Sequence, residues 1–488
     1  MLGPYNGAML LDGERCYSAM RSHDARFDGR FFVGVSSTGI YCRPVCTAKP
    51  PKRRNCRFFP SAAAAEHAGF RPCLRCRPEL APGNASVDAN GRLAQAAAGA
   101  IEDGLFDDGG VERVAARLGV TDRHLRRVFR AEFGVSPIAY AQTQRLLLAK
   151  RLLTDTRLPV TEVALASGFG SLRRFNALFS ARYRLRPSDL RRMAADKAPE
   201  DSLIFRLGFR LPFDWDALLA FLGKRAILGV EHADGRRYAR TVRMRHAGKW
   251  HVGWISVVRG TRKAVLELRV SNALARAVPP LLASVKRLFD LSCDPVAIAA
   301  ALGPLAAERP GLRLPGAFDG FESAVRAVLG QQITVKAAQT MAGRFAQAFG
   351  AAIETGVPQL RVLFPAPERV AALRSADIAA LGIVTARANA ILALARAVTE
   401  GKLALEPGAD VESTLAQLTS LPGVGEWTAQ YIAMRALSWP DAFPHTDYGV
   451  LKAMGTRSAR DALARAKAWQ PWRAYAVMHL WKSLEDKS

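Results

Sequence analysis

Acidic residues are scarce in this chain. Against 69 Lys and Arg stand 43 Asp and Glu, a formal net charge of +26, so a polyanion is the expected partner, nucleic acid ahead of an anionic membrane. Apolar runs of membrane-spanning length are also missing. The opening residues, MLGPYNGAMLLDGERC, lack a basic start followed by a clean apolar stretch, and a cytoplasmic protein with no membrane partner is expected. Cysteines are few and odd in number, seven in all, which in a reducing compartment excludes a disulfide framework. Apolar residues are not lacking: they make up 49%, enough to fold rather than remain a basic tail. A length of 488 residues calls for several separate cores.

Composition shifts twice, at PELAPGNASVDANG (78–91) and at AADKAPEDS (194–202), both read as linkers. Between them, VERVAARLGV, LRRVFRAEF, RLLLAKRLL and FNALFSARY repeat apolar residues at helical spacing. From Leu203 to Val270, RYARTVRMR, WHVGWISVV and AVLELRV alternate with the period of strands, joined by turns at ADG and AGK. From about Pro279 the text is helical again. The expected fold is multidomain α+β: a Cys-rich unit (1–85), a helical unit (86–198), a small antiparallel sheet unit (199–285) and a helical unit (286–488).

YCRPVC supplies Cys42 and Cys46, and RPCLRC supplies Cys73 and Cys76. Two close pairs across a loop suit one tetrahedral Zn2+; four unrelated core thiols are the alternative, and a purely structural knot is a third reading. Cys16, Cys56 and Cys293 have no paired partner and read as small buried apolar residues. The surrounding text, FDGRFFVGVSSTGIYCRPVC with RRNCRFF and AGFRPCLRCRPE, resembles the N-terminal phosphotriester-repair domain of the adaptive-response (Ada) alkylation-repair regulators. The resemblance implies that Cys42 accepts a methyl group from a DNA methylphosphotriester. A zinc-held thiolate is a nucleophile, and methylation removes one negative charge from the cluster, which raises DNA affinity.

VERVAARLGVTDRHLRRVFRAEFGVSP reads as helix, turn at Gly119, and a basic helix capped by Thr121. VTEVALASGFGSLRRFNALFSARYRLRPSDLRR repeats the pattern with Ser171 as cap. The candidate DNA contacts are Arg123, His124, Arg126 and Arg127, then Arg173, Arg174 and Asn176; helical periodicity turns some of them away, and a solvated basic face is the alternative for each. The duplication resembles the AraC-type double helix-turn-helix, which implies a promoter reader, an operator in double-stranded DNA and contact with RNA polymerase.

LPGVG, followed by EWTAQYIAMRAL and then FPHTDYGV, has the glycine placement of a helix-hairpin-helix, with Gly423 and Gly425 letting backbone N–H groups approach a phosphate. With LPFDWDALLAFLGKRAILGVE, LFDLSCDP, RPGLRLPGAFDGFESAVRAVLGQQITV and WQPWRAYAVMHLWK it resembles the 3-methyladenine glycosylase II (AlkA) group across almost all of residues 203 to 485. The resemblance implies Asp447 as catalytic carboxylate, Trp427, Tyr431 and Trp481 as the aromatic cleft, and Phe221 as a contribution from the sheet unit. The position of the family's duplex wedge is Gln332, with Ile333 beside it. Asp447 also reads as a helix N-cap ahead of YGVLKAM.

Two further absences sharpen this. Related strand-cutting glycosylases carry a lysine just after the hairpin, where this chain has Trp427, so hydrolysis without strand cleavage is expected. No Pro-Cys-His-Arg tetrapeptide occurs, so no second methyl-acceptor domain for O6-methylguanine is expected. The expectation is an alkylation-damage sensor and transcription regulator, bacterial and nucleoid-associated, fused to a glycosylase of alkylated bases. The competing reading is a regulator whose C-terminal half only grips DNA.

Overall fold

A computed structural model describes residues 12–82, 89–102, 104, 110–192, 202–261 and 264–486, with the side chains of 89–92 excluded. The middle of the first linker, 83–88, and nearly all of the second lie outside these residues. The N-terminal unit is a four-stranded sheet in the order Cys56–Phe59, Phe32–Val35, Ile40–Cys42, Arg71–Pro72. The first three strands pair antiparallel and the last parallel. That parallel rung sets Tyr41 opposite Pro72, and the Cys73 N–H donates to the Tyr41 carbonyl at 3.0 Å. Cys42 and Cys73, the next residues on the two strands, are thereby brought side by side.

The helical unit is two helix-turn-helix pairs joined by one long helix, Pro137–Asp155. Gly110–Arg117 leads through Gly119 to Asp122–Phe133, whose Thr121 hydroxyl caps the His124 N–H. Val160–Ala166 leads through Gly168 to Leu172–Tyr183, capped by Ser171 on the Arg174 N–H. Each second helix buries one stripe, Leu125, Phe129 and Phe133 in the first and Phe175, Phe179 and Tyr183 in the second, at the i, i+4 spacing that turns the intervening basic residues outward.

Glu66 stitches this unit to the sheet before it. Its carboxylate accepts from Tyr41 (3.1 Å), Thr143 (3.2 Å) and Tyr183 (3.3 Å), and Arg182 donates to its backbone carbonyl at 2.9 Å. The side chain is buried, and burial pushes its pKa up to about 7 even though the three hydroxyl donors pull it down.

The third unit is a five-stranded antiparallel sheet in the order Ser202–Gly208, Val265–Ser271, Lys249–Arg259, Arg237–His246, Glu231–Ala233. The two long strands meet at Ala247 and Gly248, both with positive φ (48° and 76°), as a tight two-residue hairpin turn needs. The sheet segment also holds a helix, Trp215–Gly223, which buries Trp215, Leu218, Leu219 and Leu222 and leaves Asp216 and Ala220 exposed. One sheet face packs on this helix and on Val278–Leu288, through Phe205, Tyr238, Val257, Leu268, Leu281 and Phe289.

That core does not stop at the sheet. It runs on through Leu146, Leu152, Phe175 and Phe179 of the helical unit. Further ties join the chain after residue 202 to the two units before it: Arg210 donates to the Asp28 carbonyl at 3.0 Å, Arg276 pairs with Glu162 at 3.0 Å, and Arg30 pairs with Asp294. The remaining helices form two lobes with separate cores. One is built on Gly320–Leu329, Val335–Phe349, Thr385–Thr399 and Glu426–Arg435. The other is built on Pro295–Leu302, Tyr448–Ala453, Ala459–Ala466 and Arg473–Glu485. Among the described residues no helix is long and apolar enough to cross a membrane.

Glu66 generates a pH prediction. A carboxyl whose folded pKa is raised binds its proton more tightly in the native state, so its contribution is complete below the unfolded pKa and is lost as pH rises toward 7. Glu66→Gln removes this titration. The stability of the wild type relative to Glu66→Gln is expected to fall between pH 5 and pH 8, by roughly 3 kcal/mol at most, read as the difference in thermal midpoints across that range.

Candidate functional site

Cys42, Cys46, Cys73 and Cys76 converge with all four sulfurs within 4.8 Å of one another. A tetrahedral zinc at 2.3 Å from each thiolate separates the sulfurs by about 3.8 Å, so the cluster fits one Zn2+. The Arg43 backbone N–H donates to Cys76 Sγ at 3.4 Å. Cys42 stands half-buried at the end of its strand. Arg43 braces the cluster further, pairing with the buried Asp28 and donating to the Cys76 carbonyl at 3.1 Å. Cys16, Cys56 and Cys293 are all buried elsewhere; Cys293 accepts from Arg313, so its thiol has a polar neighbour that a purely apolar reading did not include.

On the helix Asp122–Phe133, Arg123 and Arg127 are exposed, and Arg127 bonds the His124 ring at 3.1 Å. Arg126 is turned toward the preceding helix, paired with Glu112 (3.2 Å) and Asp122 (3.5 Å). On the helix Leu172–Tyr183, Arg173, Arg174 and Asn176 are all exposed.

The hairpin joins Val411–Ser420 to Glu426–Arg435. Gly423 is left-handed (φ 77°), and a Cβ there would stand 3.0 Å from that of Ala390, whereas Gly425 is an extended N-cap with nothing within 4 Å of its Cβ position. The first glycine is demanded by the turn; the second leaves open room before the helix N-terminus.

Just inside that helix, Trp427 donates its indole N–H to Asp447 Oδ2 at 2.9 Å. From the other lobe, Trp481 donates to Asp447 Oδ1 at 2.9 Å. The same oxygen accepts the Val450 N–H at 2.9 Å, so Asp447 is a helix N-cap as well as the focus of two indoles. Gly449 makes this possible: a Cβ on it would lie 3.1 Å from both Asp447 Oδ1 and Trp481 Cδ1.

These groups line a cavity of about 280 Å³ between the lobes. Trp427 stacks on Tyr431 (centroids 5.6 Å, planes 23° apart), and Tyr431 faces Trp481 at 6.2 Å. Burial pushes the Tyr431 phenol up, but Arg435, Arg225 and Arg326 around it more than offset this and hold its pKa below the ordinary value. Ile333 borders the cavity, while Gln332 stands exposed at the loop tip with φ 52°. Phe221 is not on the wall; it lies in the layer behind, with the Arg225 guanidinium 3.7 Å and that of Arg435 5.1 Å from its ring centre.

Several side chains at this site were not among the sequence candidates. Arg225, Arg326 and Gln339 share the cavity wall. Gln331 bridges the loop at residues 330–333 to the hairpin and the helix behind it, donating to the Gly423 carbonyl and to Thr428, each at 2.9 Å. Gly449 spaces the carboxylate from the indole. The GQQ text flags a polar loop, but nothing local says which glutamine turns inward, and Arg225 comes from a segment some two hundred residues before Tyr431.

A thiolate zinc module, paired helix-turn-helix units and a two-lobed helix-hairpin-helix cleft on one chain define a DNA-binding regulator joined to a base-excision repair fold. Family models match in that order: the metal binding domain of Ada at residues 15–79, a helix-turn-helix domain at 114–193, the AlkA N-terminal domain at 204–319, and the HhH-GPD superfamily of base excision DNA repair proteins at 325–472. The chain belongs to the family of bifunctional transcriptional activator/DNA repair AlkA proteins. It is 40% identical over 491 residues to the "Probable bifunctional transcriptional activator/DNA repair enzyme AlkA" of Mycobacterium tuberculosis H37Rv, covering 97% of each chain. It is 36% identical over 278 residues to DNA-3-methyladenine glycosylase 2 of Escherichia coli K12, covering 57% of this chain and 96% of that one. It is 34% identical over 160 residues to the bifunctional transcriptional activator/DNA repair enzyme Ada of the same organism, covering 33% and 43%.

Metal analysis checks the cluster. The purified protein is expected to hold one zinc per chain; Cys73→Ser is expected to lose it and to melt several degrees lower, while Cys293→Ser keeps it.

Proposed function

We propose that the chain is an alkylation-damage response protein whose C-terminal half hydrolyses the N-glycosidic bond of cationic alkylated bases of the 3-methyladenine and 7-methylguanine type. The observation that carries this is the Asp447 carboxylate, fixed by two indole N–H groups at the wall of an aromatic cavity beside the hairpin. An alkylated purine carries positive charge, so its bond to the sugar is already weak. An electron-rich Trp427–Tyr431–Trp481 wall suits a flipped cationic base. As the bond breaks, its electron pair leaves with the base. Asp447 faces the positive charge growing on the sugar, and water adds to the anomeric carbon and passes its proton to the carboxylate. Indole N–H groups donate only, so they orient Asp447 without competing for that proton.

Trp427 in the position of a nucleophilic lysine supports a monofunctional enzyme that leaves an abasic site. Gly423 and Gly425 offer backbone N–H groups to a phosphate, and Ile333 or Gln332 at the loop fills the gap left by the flipped base.

The N-terminal half is proposed to sense methylphosphotriesters. Cys42 Sγ attacks the methyl carbon; the S–C bond forms as the C–O bond breaks, and the electron pair stays with the phosphate oxygen as a diester. Bound zinc keeps the thiolates deprotonated at neutral pH. With one negative charge removed, the module holds DNA more tightly. Arg123, Arg127, Arg173, Arg174 and Asn176 then read an operator, with Arg126 bracing the first helix pair. The joining helix Pro137–Asp155 has 19 residues and spans about 28 Å, near the length of one DNA turn. Activation through RNA polymerase, in the nucleoid, completes the proposal, with the four units bounded at residues 85, 198 and 285.

Base release decides the first part. The wild type is expected to free 3-methyladenine from methylated duplex DNA without cutting the strand. Asp447→Asn, with an unchanged melting temperature, is expected to lower the rate roughly 10³-fold; undiminished release removes Asp447 from the mechanism. Gly449→Ala, which pushes Asp447 and Trp481 apart, is expected to lower kcat more than it raises KM. For the sensor, mass spectrometry after exposure to methylated DNA is expected to find one methyl group, on Cys42, and methyl elsewhere or none overturns that assignment.

A further inference from the structure

The hairpin Arg237–His246/Lys249–Arg259 is longer than the sheet that carries it. On one side Val265–Ser271 pairs with it only from Ile255 to Arg259; on the other Glu231–Ala233 pairs only as far as Arg240. The rungs from Val242↔Gly253 to His246↔Lys249 therefore stand beyond both neighbouring strands as a two-stranded ribbon. A bare ribbon is marginally stable and its open edges invite pairing, so its side chains say what it is built to meet.

One face of the ribbon is packed, with Val242 buried and Met244 against the sheet core; the side chains of the outward face are cationic. Arg245 lies directly opposite Trp250, and Arg243, two residues earlier on the same face, sets its guanidinium 4.6 Å over the Trp250 ring. Trp250 is 52% exposed. Arg245 and Lys249 are exposed as well, and Arg269 extends the charge onto the next strand. None of Arg243, Arg245, Lys249 and Arg269 has a carboxylate partner among the described residues. Next to the tip runs a groove of about 480 Å³ bordered by Arg113 of the first helix-turn-helix and Arg287 of Val278–Leu288.

We propose that this ribbon is a third duplex-DNA contact, separate from the recognition helices and from the cleft. The major groove of B-DNA admits a two-stranded β-ribbon, and unpaired cations on it gain affinity by releasing counterions from phosphates. Single-stranded DNA fits less well, because it favours open aromatic faces for base stacking and Arg243 already covers one face of Trp250. The charge and the lack of an apolar patch disfavour a protein partner. The proposal goes beyond base release and stands without it.

The test is fluorescence anisotropy of the full chain on an undamaged duplex of random sequence over a salt series. Arg243→Gln/Arg245→Gln is expected to reduce the slope of log K against log salt by about 2, with an unchanged melting temperature. Lys249→Gln beside the turn, where no packing is at stake, is expected to reduce it by about 1. Trp250→Ala is expected to weaken binding at every salt with the slope preserved. Base release at saturating methylated DNA is expected to keep its kcat in all of these variants, with KM raised. Slopes equal to wild type in both the double variant and Lys249→Gln overturn the proposal, as does a loss seen only with the same oligonucleotide single-stranded. If the wild type releases no base, the glycosylase reading fails while the salt slopes still decide the ribbon.

Discussion

Asp447 is held from two sides by groups that can only donate. Trp427 comes from the helix behind the hairpin, Trp481 from the last helix of the other lobe, and the carboxylate caps a third helix between them. An anion so placed depends on both lobes being packed, because either indole is lost if its helix shifts by an ångström or so. The two lobe cores, the small Gly449 and the Gln331 bridge from the loop at residues 330–333 to the hairpin all serve that one geometry. With two N–H donors and a cap bond already accepted, the carboxylate is kept as an acceptor oriented toward the cavity's contents rather than left to swing in solvent.

A second constraint is continuity. Regulatory and repair modules often read as beads on a string, yet here the apolar core of the sheet unit continues into the second helix-turn-helix. Leu146 and Leu152 on one side and Leu203 and Phe205 on the other belong to this one cluster, all buried in the intact protein. Polar ties reinforce the joint, and one of them approaches the zinc cluster: Arg43, next to Cys42, pairs with Asp28, whose carbonyl receives Arg210 from the repair half. The two halves therefore share one packed core.

Charge is distributed by the same logic. The cations seen in the sequence include buried pairs such as Arg240 with Glu322, which join the sheet to the hairpin lobe, and exposed arginines without a carboxylate partner such as Arg243 and Arg245 on the ribbon. The proposed DNA contacts draw on the second kind. Composition counted them alike, and Arg126, chosen from its neighbours' pattern, turned out to be engaged by Glu112 and Asp122.

What was legible in the chain is what depends on near neighbours. Paired cysteines, Thr121 and Ser171 as caps, the alternation of the long hairpin strands, LPGVG as a turn and Asp447 as an N-cap all follow from spacings of a few residues, where local sterics and hydrogen bonding decide the outcome. The tertiary structure alone decided which side chains meet across hundreds of residues: Arg225 on the wall beside Tyr431, Phe221 one layer back from the cavity, Gln331 rather than Gln332 turned inward, and the shared core of the two halves. Those meetings come from the summed packing of many apolar faces, each compatible with several partners, and no stretch of sequence carries that sum.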